Sequence, residues 1–170
     1  MRRFLLLALL LTPAMALAGQ VQLQFNRTDP KDETLGPLTF KGAVVIPPGP
    51  DKVGGLSSLE MGRGDRQLFV QADDGRFYEA TLQWQNGRLT GAVFGKGRLL
   101  NDEDGKPPRS RARFDSESLA RLPDGSWLVG YERDHRIERY DNVRGQPMGT
   151  PKPLPTPPGL LDITRNEGLE

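Results

Sequence analysis

Oxygen-bearing side chains recur at matching places along this sequence of 170 residues. Ser57, Glu117 and Glu170 stand at one position of a repeated pattern, and Asp73 and Glu132 stand near the ends of the strands that we expect to follow. Carboxylates from separate segments suit a hard cation, Ca²⁺ before Mg²⁺, because Ca²⁺ takes about six to eight oxygen ligands. The pattern therefore predicts a Ca²⁺ site formed by Glu117, Glu170, Asp73 and Glu132. The alternative is that these carboxylates are solvated at loop ends or pair with arginines.

Three arginines alternate in the segment before the second repeat: Arg109, Arg111 and Arg113. On an extended segment they would project to one side, and guanidinium groups suit phosphate oxygens. The row, together with Ser57, is predicted to bind a small ester or phosphoester substrate. The alternative is a solvated loop in which the arginines pair with Asp102 and Glu103.

Other chemistries are excluded or weakened by composition. The chain has no cysteine, which removes disulfides, thiolate zinc sites and cysteine nucleophiles. Its 23 basic and 22 acidic residues form no long basic run, so we expect no nucleic acid partner. Ser57 lacks the second glycine of a nucleophile elbow, and the single histidine, His135, is predicted to lie exposed in a charged turn. A serine-hydrolase mechanism is therefore disfavoured.

A repeat positions the candidate residues. Ser58-Leu59 matches Ser118-Leu119, and Arg76-Phe77 matches Arg136-Ile137, sixty residues later in both cases. Each unit contains three short β-type runs separated by Gly or Asp-Gly turns, which is typical of an antiparallel meander. A fourth run follows at residues 88–94 in the first unit and before Pro151 in the second. Three aromatic residues of the second unit are predicted to pack within the sheet: Trp127, Tyr131 and Tyr140.

Meanders of three to four strands that repeat at this interval predict an all-β fold of the β-propeller type. We expect about two blades and, at residues 166–170, the start of a third. Because a propeller needs at least about four blades to close its ring, the sequence predicts the N-terminal portion of a longer domain. The alternative is a small complete β-sandwich with a coincidental repeat.

The first 18 residues have the layout of a secretory signal peptide. Arg2 and Arg3 precede an apolar run, and the small residues Ala16 and Ala18 precede a predicted cleavage after Ala18. The run is too short for an ordinary membrane span, and no second membrane segment follows. We expect a periplasmic or secreted protein whose mature domain occupies residues 19–170; an uncleaved anchor is the alternative.

Three further segments are assigned by their patterns. Residues 21–25 and 38–46 each predict a strand, one of which could close a ring of blades from outside. Residues 146–159, rich in proline and glycine, predict a loop or linker.

Several motifs resemble the phytase-like family of secreted bacterial β-propellers, described as having esterase-like activity of phytase. They are GGLSSL at residues 54–59, DDGRFY at 73–78, LLND at 99–102, FDSESLA at 114–120, LPDGS at 122–126 and NEGLE at 166–170. The resemblance covers residues 38–170 and implies a hydrolase-type propeller. Two functions remain open: an exported, metal-dependent esterase-like or phosphatase-like hydrolase, and a non-catalytic propeller that binds a ligand or protein partner.

Overall fold

A computed structural model describes residues 21–47 and 53–164 of the chain. In this part the protein is all-β, apart from one helical turn and one 3-10 turn. The predicted signal peptide and the predicted start of a third unit, which includes Glu170, lie outside the described residues.

The N-terminal strands are shorter than the two predicted segments. β1 (Val21–Gln22) pairs antiparallel with β4 (Val44–Val45), and β2 (Thr34–Leu35) forms a hairpin with β3 (Leu38–Thr39). The segment that we expected to be one strand over residues 38–46 is therefore divided between two small sheets.

The first repeat is a four-stranded antiparallel meander, here called blade 1. Its strands are β5 (Leu56–Met61), β6 (Gln67–Ala72), β7 (Arg76–Gln85) and β8 (Arg88–Phe94), paired in that order. A short fifth strand, β9 (Arg98–Leu99), pairs with the start of β7. The predicted fourth run of this unit is confirmed.

The second repeat, blade 2, follows a helical turn, α1 (Arg111–Phe114). Its strands are β10 (Ser116–Arg121), β11 (Trp127–Tyr131), β12 (Arg136–Val143) and β13 (Gln146–Pro153), again in meander order. The sixty-residue repeat is present in space, since β10, β11 and β12 each begin sixty residues after their counterparts in blade 1. A 3-10 turn, Leu160–Asp162, follows blade 2.

The prediction of a linker from residue 146 onward is wrong for its first half, which is β13. Pro147 and Pro153 stand on this outer strand, where a missing N–H costs nothing if that side of the strand has no partner. The predicted fourth run before Pro151 is confirmed, because an edge strand tolerates prolines where a central strand would not.

The two blades pack through an aromatic core. Phe69 and Phe77 of blade 1 meet the edge of Trp127 of blade 2, with ring centroids 4.9 Å and 5.8 Å from it. Trp127 and Tyr140 are fully buried and Tyr131 nearly so, which confirms the predicted packing role of these three residues. The innermost strands β5 and β10 lie side by side, as inner strands do in a propeller.

Candidate carboxylate site on blade 2

Three carboxylates converge where β10 begins and β11 ends. Asp115 directly precedes β10, Glu117 lies within it, and Glu132 directly follows β11. The backbone N–H of Glu132 donates to the carbonyl oxygen of Asp115 at 3.0 Å, which brings the two segments together. One side-chain oxygen from each of the three residues lies within 4.8 Å of the other two. The structure thus joins the predicted Glu117 and Glu132 into one cluster, the carboxylate cluster.

A β-bulge aims Glu117 at its neighbours. Ser116 pairs with Tyr131 and Ser118 pairs with Gly130, so Glu117 is the extra residue on its strand. A bulge changes the direction of a side chain that would otherwise follow the strict alternation of the strand. Glu117 therefore reaches the same end of the sheet as Asp115 and Glu132.

Burial makes the negative charge of this cluster costly. Asp115 is 1% exposed and Glu132 is 6% exposed, while Glu117 is half-buried. Carboxylates in a dry environment require a compensating cation or hydrogen bonds, since the protein replaces water poorly as a solvent for charge. Arg133 supplies part of this compensation by forming an ion pair with Asp115.

The oxygens are close enough together to share one cation. Ca²⁺–O distances are about 2.3–2.6 Å, so two ligands of one Ca²⁺ ion are at most about 5 Å apart. The three oxygens lie within 4.8 Å of one another, which is compatible with this limit, and hard oxygen donors are the ligands that such cations take.

Blade 1 carries the same backbone arrangement with different side chains. The N–H of Asp73 donates to the carbonyl oxygen of Gly55 at 2.7 Å, and Ser57 is the bulged residue of β5. Gly55 has φ +59, and a Cβ added there would lie 2.2 Å from Oδ1 of Asp73, so the Asp73 carboxylate lies directly over this glycine. Asp73 is therefore placed as predicted at a strand end, but it is not part of the carboxylate cluster among the described residues.

The predicted arginine row is not extended. Arg111 begins the helical turn α1, so the alternation of Arg109, Arg111 and Arg113 does not place them on one side of a strand. Within the described part of the chain, no strand pairs with the segment between β9 and β10, so no β-ladder holds it extended.

The two ends of the row have different surroundings. Arg113 forms ion pairs with Glu103 and Asp134, whereas Arg109 is exposed. Both line a cleft of 280 Å³ whose other walls include Asp102, Glu103 and Asp104. These carboxylates oppose the binding of an anion there, and the role of the arginines in substrate binding stays a prediction.

His135 is buried, which corrects the prediction of an exposed turn histidine. It is 9% exposed, and its Nε2–H donates to the carbonyl oxygen of Thr164 at 3.1 Å. The charged neighbours Asp134 and Arg136 suggested a solvated turn. Instead, the segment after β13 covers the ring, a long-range contact that the local sequence does not reveal.

A buried polar network supports the turn that leads into the carboxylate cluster. Arg136 donates to the backbone oxygen of Arg113, pairs with Glu138 at 2.8 Å and lies 3.8 Å above the ring of Tyr131. Tyr140 donates to Glu138 at 2.9 Å. Burial raises the pKa of Tyr131, and the charge of Glu138 adds to this effect. Burial also raises the pKa of Tyr140, with further contributions from Tyr131 and Glu138.

Asp115 is the cluster member that sequence reasoning missed. The repeat alignment hid it, because its counterpart in blade 1 is Gly55, which carries no ligand atom. The signal that could have found it is its position next to a predicted inner strand, two residues before Glu117.

Residues 51–170 match the phytase-like family, described as esterase-like activity of phytase. The matched range covers more than half of the chain and includes both blades and the carboxylate cluster. The chain belongs to the phytase-like family. The resemblance in the sequence motifs is thereby confirmed, and the two blades agree with the β-propeller architecture of phytase-like proteins.

No curated protein and no solved structure matches this phytase-like chain. Within residues 21–47 and 53–164, none of its helices has the length and apolar character that crossing a membrane requires. The family suggests a hydrolase-like function at a coarse level.

Proposed function

We propose that this phytase-like chain provides part of an exported, Ca²⁺-dependent hydrolase that acts on an ester or phosphoester. The observation that carries the proposal is the convergence of Asp115, Glu117 and Glu132 at one end of a propeller blade, in a member of a family with esterase-like character. Export is inferred from the signal-peptide layout of residues 1–18.

The chain's own residues have separable roles in this proposal. Glu117 and Glu132 bind the cation with their carboxylate oxygens, and Asp115 contributes a third carboxylate, one oxygen of which pairs with Arg133. A bound divalent cation acts as a Lewis acid, polarising a carbonyl or phosphoryl oxygen and lowering the pKa of coordinated water. The buried positions of Asp115 and Glu132 limit competition from bulk water for the ligand oxygens.

Substrate binding is proposed for a different set of residues. Arg109 is exposed and has the charge to attract a phosphoester, although the acidic residues around it weaken that attraction. Ser57 lies on the inner strand β5 next to β10, where its hydroxyl makes a long contact of 3.4 Å with Gly55 O. Asp73, over Gly55, and Glu170, outside the described residues, remain proposed additional metal ligands.

Calcium binding is tested on the full-length protein after removal of divalent ions with a chelator. We expect Ca²⁺ to raise the melting temperature more than Mg²⁺ does, because a ligand stabilises the state that binds it. Glu117→Gln should abolish the rise. Glu60→Gln is the matched control, since Glu60 is a half-buried glutamate on the inner strand of blade 1 and should leave the rise intact.

Hydrolysis is tested separately with p-nitrophenyl acetate and p-nitrophenyl phosphate, each with Ca²⁺ and with chelator. Calcium-dependent release of p-nitrophenol that Glu117→Gln abolishes would support the proposal. Calcium binding without hydrolysis of either compound would favour the non-catalytic propeller. If Ca²⁺ shifts neither the wild type nor the Glu60→Gln variant, the metal site does not exist.

A further inference from the structure

A second cleft lies where β7 of blade 1 faces the beginning of β13 of blade 2. Its volume is 670 Å³, within the range of about 300–1,000 Å³ that is usual for small-molecule sites. It shares no lining residue with the carboxylate cluster. We call it the interblade cleft; its principal walls are Phe77, Glu79, Thr81, Phe94, Lys96 and Arg98.

Two cations line the interblade cleft because of the way β9 pairs with β7. Arg98 stands opposite Phe77 in the antiparallel register, so its side chain lies on the same face of the sheet as the Phe77 ring. Gly97 allows the segment to approach closely, since a Cβ there would lie 2.4 Å from Cε1 of Tyr78. Lys96 and Arg98, two residues apart, both face the cleft as a result.

No salt bridge of the described residues uses these two cations. Neither Lys96 nor Arg98 has an ion-pair partner among residues 21–47 and 53–164. Arg98 donates one hydrogen bond, from Nη2 to the carbonyl oxygen of Pro147 at 2.6 Å. Burial lowers the pKa of Arg98, as expected for a half-buried cation without a neutralising partner.

Glu79 is the one carboxylate that lines the interblade cleft, and it is already engaged. Its two side-chain oxygens accept hydrogen bonds from the amide groups of Gln67 and Gln146, at 2.7 Å and 3.0 Å. Glu79 therefore joins the two blades at this point. The amide donors do not cancel its charge, but the two cations Lys96 and Arg98 outweigh it in the interblade cleft.

We infer that the interblade cleft binds a small organic oxyanion, a phosphate or carboxylate group attached to an apolar body. Lys96 and Arg98 neutralise the anion, with the guanidinium offering paired N–H donors to its oxygens. Val93, which is exposed, and Phe94, which is half-buried, provide the apolar walls for the rest of the molecule. This site goes beyond the proposed hydrolase function, because it needs neither the carboxylate cluster nor a divalent cation.

The test is isothermal titration of the full-length protein with phenyl phosphate, benzoate and inorganic phosphate, in the presence of chelator. Phenyl phosphate should bind more tightly than inorganic phosphate, because only the organic anion contacts the apolar walls. The comparison of phenyl phosphate with benzoate shows which of the two oxyanions the cleft prefers. The chelator separates this result from the calcium-dependent hydrolase, which can fail without affecting it.

Three variants locate the binding. Lys96→Gln should weaken phenyl phosphate binding about tenfold or more, since a charged hydrogen bond is lost. Thr81→Glu, which adds a negative charge to an exposed position in the cleft, should abolish it. Lys106→Gln removes the same charge from the separate cleft that Arg109 lines, so it shows whether phenyl phosphate binds there instead; it should leave binding unchanged.

Each outcome of this comparison bears on the inference. Unchanged melting temperatures for Lys96→Gln and Lys106→Gln would show that both variants fold, as expected for exposed lysines. The inference is overturned if wild type shows no saturable binding, or if Lys106→Gln weakens binding while Lys96→Gln does not. Inorganic phosphate that binds as tightly as phenyl phosphate would also overturn it, because the apolar walls would then contribute nothing.

Discussion

The hydroxyl of Ser58 on β5 accepts a hydrogen bond of 2.9 Å from the backbone N–H of Leu119 on β10. This bond crosses from blade 1 to blade 2 between their inner strands, and it gives a partner to a backbone donor of β10, which is an edge strand of its own sheet. Ser57 directly precedes Ser58, and Glu117 lies two residues before Leu119. The bond therefore holds these two candidate residues at the inner edge that the blades share.

Ser58→Ala should lower the free energy of unfolding by about 1–2 kcal/mol, because it leaves the N–H of Leu119 without this acceptor. Ser57→Ala is the neighbouring control and should change stability little, since the hydrogen bond from its hydroxyl to the carbonyl oxygen of Gly55 is long, at 3.4 Å. Urea denaturation of both variants measures the difference. Equal stability for the two variants would contradict a role for Ser58 in joining the blades.

Trp127→Ala should lower the free energy of unfolding by about 3–5 kcal/mol, because it removes the fully buried ring that Phe69 and Phe77 contact. Trp84 is the other of the two tryptophans, and it is only half-buried. Trp84→Phe serves as the control and leaves Trp127 as the single tryptophan fluorophore. The fluorescence of Trp127 in this variant should be that of a tryptophan in an apolar environment. Fluorescence typical of a solvent-exposed tryptophan in the native state would refute the interblade core.

Arg136→Met should lower the free energy of unfolding by about 3–5 kcal/mol. The change leaves Glu138, whose side chain is 2% exposed, without its cation. Arg139→Met on the same strand is the matched control, because Arg139 pairs with Asp124 at the surface and the effect should be small. Chemical denaturation compares the two, and equal losses would show that the buried pair has no special weight.

Alkaline pH should destabilise the protein through Tyr131 and Tyr140. Burial raises the pKa of both phenols in the folded state, so unfolded chains lose these protons first as the pH rises above about 10. Stability is fully present below that pH and should fall above it by about 1.4 kcal/mol per pH unit for each tyrosine. Denaturation at a series of pH values measures the slope.

Tyr131→Phe tests the assignment of this slope, which should become shallower because one titrating phenol is gone. The variant also removes the 2.8 Å contact between the two hydroxyl groups, so its stability at neutral pH serves as the reference. An unchanged alkaline slope would contradict the claim that Tyr131 is protonated in the fold at high pH.

Arg133→Gln should strengthen Ca²⁺ binding at the carboxylate cluster about tenfold, because it removes a positive charge that pairs with Asp115. Calcium titration measures the change, with Arg139→Gln as a control, because Arg139 pairs with Asp124 and not with a member of the carboxylate cluster. Weaker Ca²⁺ binding by Arg133→Gln would contradict this prediction. Arg133 would then help the cluster by positioning Asp115, and this effect would exceed its repulsion of the cation.

The repeat in the sequence predicted the blades well, because Asp-Gly turns and alternating strands are local features. It also proposed Glu117, on an inner strand, and Glu132, near the end of the next strand, as ligands of one site, and the structure brings these two residues together. It did not predict the grouping with Asp115, which depends on the bulge in β10 and on the hydrogen bond from Glu132 to Asp115. Nor did it predict the helical turn at Arg111, since alternation of residue types does not establish that a strand partner is present.

The sequence by itself determined the all-β class, the sixty-residue spacing of the blades and membership of the phytase-like family, because each follows from patterns within a short stretch of chain. Only the tertiary structure decided which carboxylate oxygens lie close together, and that Asp73 lies over Gly55 and outside the carboxylate cluster. It also decided that His135 is buried and hydrogen-bonded to Thr164. The interblade cleft likewise combines β7 with β13, whose residues are distant in sequence. The physical reason is that ligand sites and burial depend on long-range packing, whereas turns and strands follow from local preference.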